Sequence, residues 1–181
     1  MTTALSIRNL WFSYDKQQPP VVSNLDVDLE TGTVNAVLGA NGVGKTTLLL
    51  ILLGLYEPDR GDLLFFGKPR TLYPPEQIRR FIGMVSQNET VPFDLSVQEY
   101  VLLGRAPHLG LFSMPGPTDR SAAQKALSTV GMSHLSHHAV TRLSSGEKQL
   151  VHTARALAQN PDILLLDEPC AGMNPVEMDT L

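Results

Sequence analysis

Apolar and polar residues alternate along Leu5–Leu10 and again along Leu25–Glu30, the period of two that half-buried strands show. Thr33–Leu38 is a short apolar run leading into glycine, and it reads as a third strand. From Lys45 to Leu55 nearly every face is apolar, which predicts a buried helix. Asp62–Phe66 and Ile82–Ser86 read as strands, with the breakers Tyr73-Pro74-Pro75 between them. Helical spacing returns over Leu95–Leu103 and Asp119–Val130. Between them lies Pro107–Pro117, a loop with three prolines and two glycines. Ser145–Gln159 is a further helix, and Ile163–Leu166 is the unbroken aliphatic run of a buried strand. Alternating strands and helices predict an α/β fold. We divide it into a core, 1–87 with 142–181, and a helical insertion over 88–141.

Composition narrows the class. A chain of 181 residues suits one domain with a small subdomain, and 43% hydrophobic residues can bury a core, which excludes a disordered chain. The net charge is −4 and no Lys/Arg block stands out, so a nucleic-acid partner is not expected. One cysteine, Cys170, rules out an internal disulfide and points to a reducing compartment. Met1–Leu10 lacks the charge and apolar pattern of a signal peptide. The longest apolar run, Leu48–Leu55, falls well short of the roughly 20 residues a membrane span needs.

Candidate chemistry begins at Gly39-Ala-Asn-Gly-Val-Gly-Lys-Thr-Thr47, which fits G-x-x-x-x-G-K-[ST] between an expected strand and a helix. Gly39, Gly42 and Gly44, with Asn41 among them, let successive amides turn toward a phosphate, and the helix N-terminus adds partial positive charge. Lys45 is the only charged residue between Glu30 and Glu57. Such an ammonium in apolar surroundings calls for an anion, the β- and γ-phosphates of a nucleotide. Thr46 is expected to offer its hydroxyl to Mg²⁺, and Thr47 belongs to the same turn. A glycine-rich turn with an accidental lysine is the bland alternative.

A second constellation is Asp167-Glu168, which follows the aliphatic run Ile163–Leu166. Ligands of open α/β sheets bind at strand C-terminal ends. Asp167 is expected to hold Mg²⁺ through its water shell, and Glu168 to orient the attacking water. A strand exiting into a charged turn would look the same in isolation.

With the third motif, Leu143-Ser144-Ser145-Gly146-Glu147-Lys148-Gln149, the sequence resembles the ATP-binding subunit of an ABC transporter. The segment is similar to that family's LSGGQ signature, with Ser145 and Glu147 as departures from it. Physically it is also a capping box, Ser144 with Glu147 three residues on. The resemblance implies a phosphate-loop ATPase fold with a mixed sheet and a head-to-tail dimer. In such a dimer Ser144, Ser145 and Gly146 of one subunit face ATP held by the other. It implies that Gln87 contacts Mg²⁺ or water and senses the membrane subunit, and that Tyr14 stacks on adenine. Cys170–Asn174 stands where the family's D-loop belongs, with Asn174 in place of the expected aspartate.

Within the family, Pro92–Gly110 looks like the group serving iron-siderophore, haem and cobalamin importers. Phe93, Leu95, Tyr100, Leu109 and Phe112 then form either a docking surface or a private core for the insertion. The expected cofactors are ATP and Mg²⁺. The expected partners are integral membrane permease subunits, a second ATP-binding subunit and, indirectly, a substrate-binding protein. The expected location is the cytoplasmic face of the cell membrane, as a peripheral subunit. Family members continue through more strands and a switch histidine. Here His108, His134, His137, His138 and His152 all precede the acidic pair, so the expectation is a truncated cassette whose hydrolysis is impaired. His134, His137 and His138 lack a cysteine or carboxylate at metal-ligand spacing and read as a solvated helix-loop junction. Rival readings are an ABC ATPase acting on ribosomes or DNA, and a nucleotide-binding remnant without turnover.

Overall fold

A computed structural model describes residues 2–86, 89, 94–110 and 112–169. The chain divides into two compact units, Met1–Ile78 and Arg79–Leu181. In the first, β1 (Thr3–Phe12) pairs antiparallel with β2 (Val22–Glu30) and with β3 (Arg60–Phe65). A short β4 (Lys68–Pro69) pairs with β3, giving the order β2-β1-β3-β4. Leu5, Ile7, Leu10 and Phe12 of β1 are buried. The step from Ile7 to Leu10 breaks strict alternation because the register shifts there. Asn9 sits at φ 46° beside this shift, and Gly61 opposite at φ 100°. One extra residue is thus absorbed and the next apolar side chain returns to the core face.

Helix α1 (Lys45–Leu52) is shorter than the expected Lys45–Leu55, and only Thr47, Ile51 and Leu52 are buried. Gly54, at φ 77°, stops it. The Gly54 N–H donates to Ile51 O and the Leu55 N–H to Leu50 O, the paired bonds of a glycine-terminated helix. The expected strand Thr33–Leu38 is not formed, and Val34 and Leu38 are 101% and 90% exposed. A strand exists only as part of a ladder, and no described strand pairs with this run. The Tyr73-Pro74-Pro75 breakers conceal helix α2 (Pro75–Phe81). Proline suits a first helical turn, where its missing N–H has no helical partner.

In the second unit, β5 (Ile82–Val85) and β6 (Ile163–Leu166) pair in parallel, Ile82 opposite Ile163 and Val85 opposite Leu166. Helices α3 (Val97–Leu102), α4 (Pro117–Thr129) and α5 (Ser145–Ala158) surround one apolar core that includes Val97, Val101, Leu127, Val140 and Val151. Leu95 and Tyr100 pack in this core, Leu109 is half-buried and Phe112 is 95% exposed. Phe93 lies outside the described residues. No helix among the described residues is long and apolar enough to cross a membrane.

Candidate functional site

In the first unit the glycine-rich loop runs into α1. Gly42 and Gly44 have φ values of 79° and 104°, the left-handed region that side chains avoid. A Cβ on Gly44 would come to 2.7 Å from Val21 Cγ1, so glycine is required there twice over. The Lys45 ammonium donates to the carbonyls of Gly39 at 2.9 Å and Ala40 at 3.0 Å. The expectation of an ammonium enclosed by apolar groups is therefore corrected. Lys45 is half-buried and held by backbone oxygens, since the open run before it provides no apolar cover. A cation fixed over its own loop, beside a helix N-terminus, favours an anion there. Thr46 is exposed and Thr47 is 6% exposed.

Tyr14 lies just beyond β1. Its hydroxyl and Thr47 Oγ1 share a hydrogen bond of 2.9 Å. The ring stands edge-on to Phe12 and Tyr56, with centroids at 5.1 and 5.5 Å. It remains 59% exposed.

In the second unit Asp167 follows β6 and is buried, and its N–H donates to Val85 O at 2.9 Å. Glu168 is exposed and sits at φ 50°. The left-handed conformation costs a non-glycine residue roughly 1–3 kcal/mol, and such strain clusters at working sites. The Asp167 carboxylate is a hard oxygen donor of the kind Mg²⁺ takes. Ser144 caps α5 with both halves of the capping box made. The Glu147 N–H donates to Ser144 Oγ at 3.2 Å, and the Ser144 N–H donates to Glu147 Oε2 at 2.8 Å. That amide and the Ser144 hydroxyl hold the Glu147 carboxyl below the usual glutamate range. Ser144 and Ser145 are exposed, while Gly146 is buried. Gln87 and Cys170–Asn174 lie outside the described residues.

Sequence reasoning missed a buried polar cluster in this unit. Arg155 of α5 donates to Glu89 at 2.7 Å, and its guanidinium stands 5.4 Å from the Tyr100 ring centre. His152 packs on Tyr100 with centroids 5.5 Å apart, and burial pushes its pKa down. Neither His152 ring nitrogen has a hydrogen-bond partner. The signal was faint: His152 falls on the helix face that carries Gln149 and Ala156, and Glu89 looks like any loop acid.

The sequence profile described as ABC transporter matches residues 22–171. The molybdate import ATP-binding protein MolC of Haemophilus influenzae is 36% identical over 179 residues, covering 99% of this chain and 65% of that protein. The ferric enterobactin transport ATP-binding protein FepC of Escherichia coli is 40% identical over 149 residues, covering 82% and 55%. An inward-facing solved structure described as a metal-chelate type ABC transporter superposes with a TM-score of 0.85 at 37% identity, covering 99% and 65%. The chain thus spans less than two thirds of the length of these curated relatives.

Proposed function

We propose, because the chain belongs to the ABC transporter family, that it is the ATP-binding and ATP-hydrolysing subunit of an importer. The cargo class we propose is a metal chelate or corrinoid of the iron-siderophore, haem or cobalamin kind. The observation that carries this reading is the glycine loop at α1, where two left-handed glycines and the Lys45 ammonium pinned on its own loop carbonyls suit a polyphosphate. Relatives named for ferric enterobactin and hemin import support the cargo class.

In this reading Gly39, Asn41, Gly42, Gly44 and Lys45 hold the phosphates, and Tyr14 takes the base. Thr46 in the first unit, and Asp167 and Gln87 in the second, are the residues that would offer oxygens to Mg²⁺, which would offset phosphate charge. The exposed Glu168 carboxylate accepts a hydrogen bond from the attacking water and aligns it. Ser144, Ser145 and Gly146 at the start of α5 receive the phosphates of a second copy's nucleotide, which makes a homodimer the working state. Residues 88–141 act as the helical subdomain, with permease subunits as partners at the cytoplasmic face of the membrane.

The test is calorimetric titration of the chain with Mg²⁺-ATP. Lys45→Ala removes charge-assisted bonds and is expected to weaken binding about tenfold to a hundredfold. Affinity within twofold of the unaltered chain would overturn the reading.

A further inference from the structure

We propose that His152 is an acid-sensing trigger: a proton on its buried ring breaks the tie by which Arg155 of α5 holds Glu89, just past β5. His152 is 5% exposed, and its ring lies against Tyr100 of α3 with centroids 5.5 Å apart. Neither ring nitrogen has a hydrogen-bond partner among the described residues. Arg155 stands three places further along α5, so the two side chains share a helix face. Its guanidinium lies 5.4 Å from the centre of the same Tyr100 ring and donates to Glu89 Oε2 at 2.7 Å. Glu89 and Arg155 are both half-buried. The tie joins residues 66 places apart, one on α5 and one on the segment that leaves β5.

A neutral imidazole suits this place and a charged one does not. An imidazolium has two N–H donors to satisfy, and an unpaired charge is costly to bury. Burial opposes the proton most; Glu89 favours it, and Arg155 and Lys148 oppose it. The other neighbours of α5 bring their charges elsewhere. On α3, Glu99 is held in its own cap by Ser96, and burial keeps the Tyr100 phenol protonated. On α4, Asp119 pairs with Arg105, Arg120 and Lys125 are exposed, and Ala123, Ala126 and Leu127 enter the core. Arg105 and His108 meet α5 at its far end, on the carbonyls of Ala158 and Gln159. Strand β5 has no ionisable residue. A proton that enters the ring therefore finds its counter-charge in Glu89, and drawing that carboxylate toward His152 takes it from Arg155. Because the fold disfavours the charged ring, its stabilising effect is complete above the ordinary value of 6.5 and is lost as pH falls below it.

The test combines proton NMR of the full chain with a double-mutant cycle, Glu89→Gln with Arg155→Met, read by urea unfolding of the helical circular-dichroism signal. The imidazole resonance absent from His152→Leu identifies the ring, and its titration midpoint is expected below 6.5. Glu89 and Arg155 are expected to couple about threefold or more in the unfolding equilibrium at about pH 7.5, and less at about pH 5. With His152→Leu in the background, the coupling is expected to be the same at both pH values. His152→Gln, which keeps a polar side chain without a titrating ring, serves the same purpose where leucine prevents folding. A His152 midpoint at or above 6.5 would overturn the proposal, as would a missing coupling at the higher pH. Coupling that fades equally in acid without the histidine would place the titration on Glu89 and overturn it too.

Discussion

Glu168 is a single residue in a conformation its side chain disfavours, with φ at 50° where the chain leaves β6. Glycine takes that region freely, so Glu168→Gly should relieve strain. We expect a gain in unfolding free energy of up to about 1 kcal/mol, seen as a higher urea midpoint. The same change deletes the carboxylate that, on the proposed function, aligns water, so phosphate release from Mg²⁺-ATP should drop about a hundredfold or more. A variant both less stable and fully active would contradict both halves of that argument. Lys45 makes a different point at this scale. The sequence shows a lone charge among apolar neighbours, but which groups satisfy it depends on the fold around it. Two loop carbonyls hold the ammonium, a detail that spacing does not encode.

Helix α5 is held at its start by a reciprocal cap, legible in advance from Ser144 and Glu147 standing three apart. Because the folded carboxyl titrates below its ordinary 4.5, its contribution is complete above the unfolded value and fades as pH falls through the folded one. Glu147→Gln should therefore lower the urea midpoint at pH 7 and reduce its decline on acidification below about pH 4.5. Equal midpoints for the two chains at neutral pH would rule the cap out as a stabiliser. Strands β1 and β2 and helices α3, α4 and α5 were readable from the period of the face each one buries, and β3, β5 and β6 from short apolar runs, although of β6 only Leu165 is buried. Three features were not. The bulge at Asn9 needs a partner strand to reveal it. Helix α2 hides behind a proline that helps start it. Thr33–Leu38 has a strand's composition without a ladder to join. The phosphate loop, the acidic pair and the α5 cap were legible because each is contiguous in sequence. Glu89 with Arg155, and Tyr14 with Thr47, are pairs made only by folding.

At the scale of the whole molecule, apolar side chains face solvent in several places. Val34 and Leu38 are almost fully exposed, and so are Phe112 and Met114. Unpaired backbone beside exposed apolar groups invites association between copies. The chain should scatter light increasingly as its concentration rises. Val34→Lys with Leu38→Lys should suppress that rise by adding charge along the unpaired run. Unchanged scattering from the double-lysine chain would move the source of association elsewhere, with Phe112 and Met114 the next exposed apolar side chains.

The pleat of β6 continues one step past the strand. Leu165 is buried, Leu166 exposed, Asp167 buried and Glu168 exposed again. Asp167 keeps the inward place of the pleat and the left-handed turn at Glu168 carries the next side chain outward, so two chemically similar acids become an inner and an outer one. Transposing them to Glu-Asp would put the longer side chain in the enclosed position and the shorter one in the open, keeping charge and composition while exchanging reach. Which acid is enclosed and which is open is thus set where the backbone leaves β6.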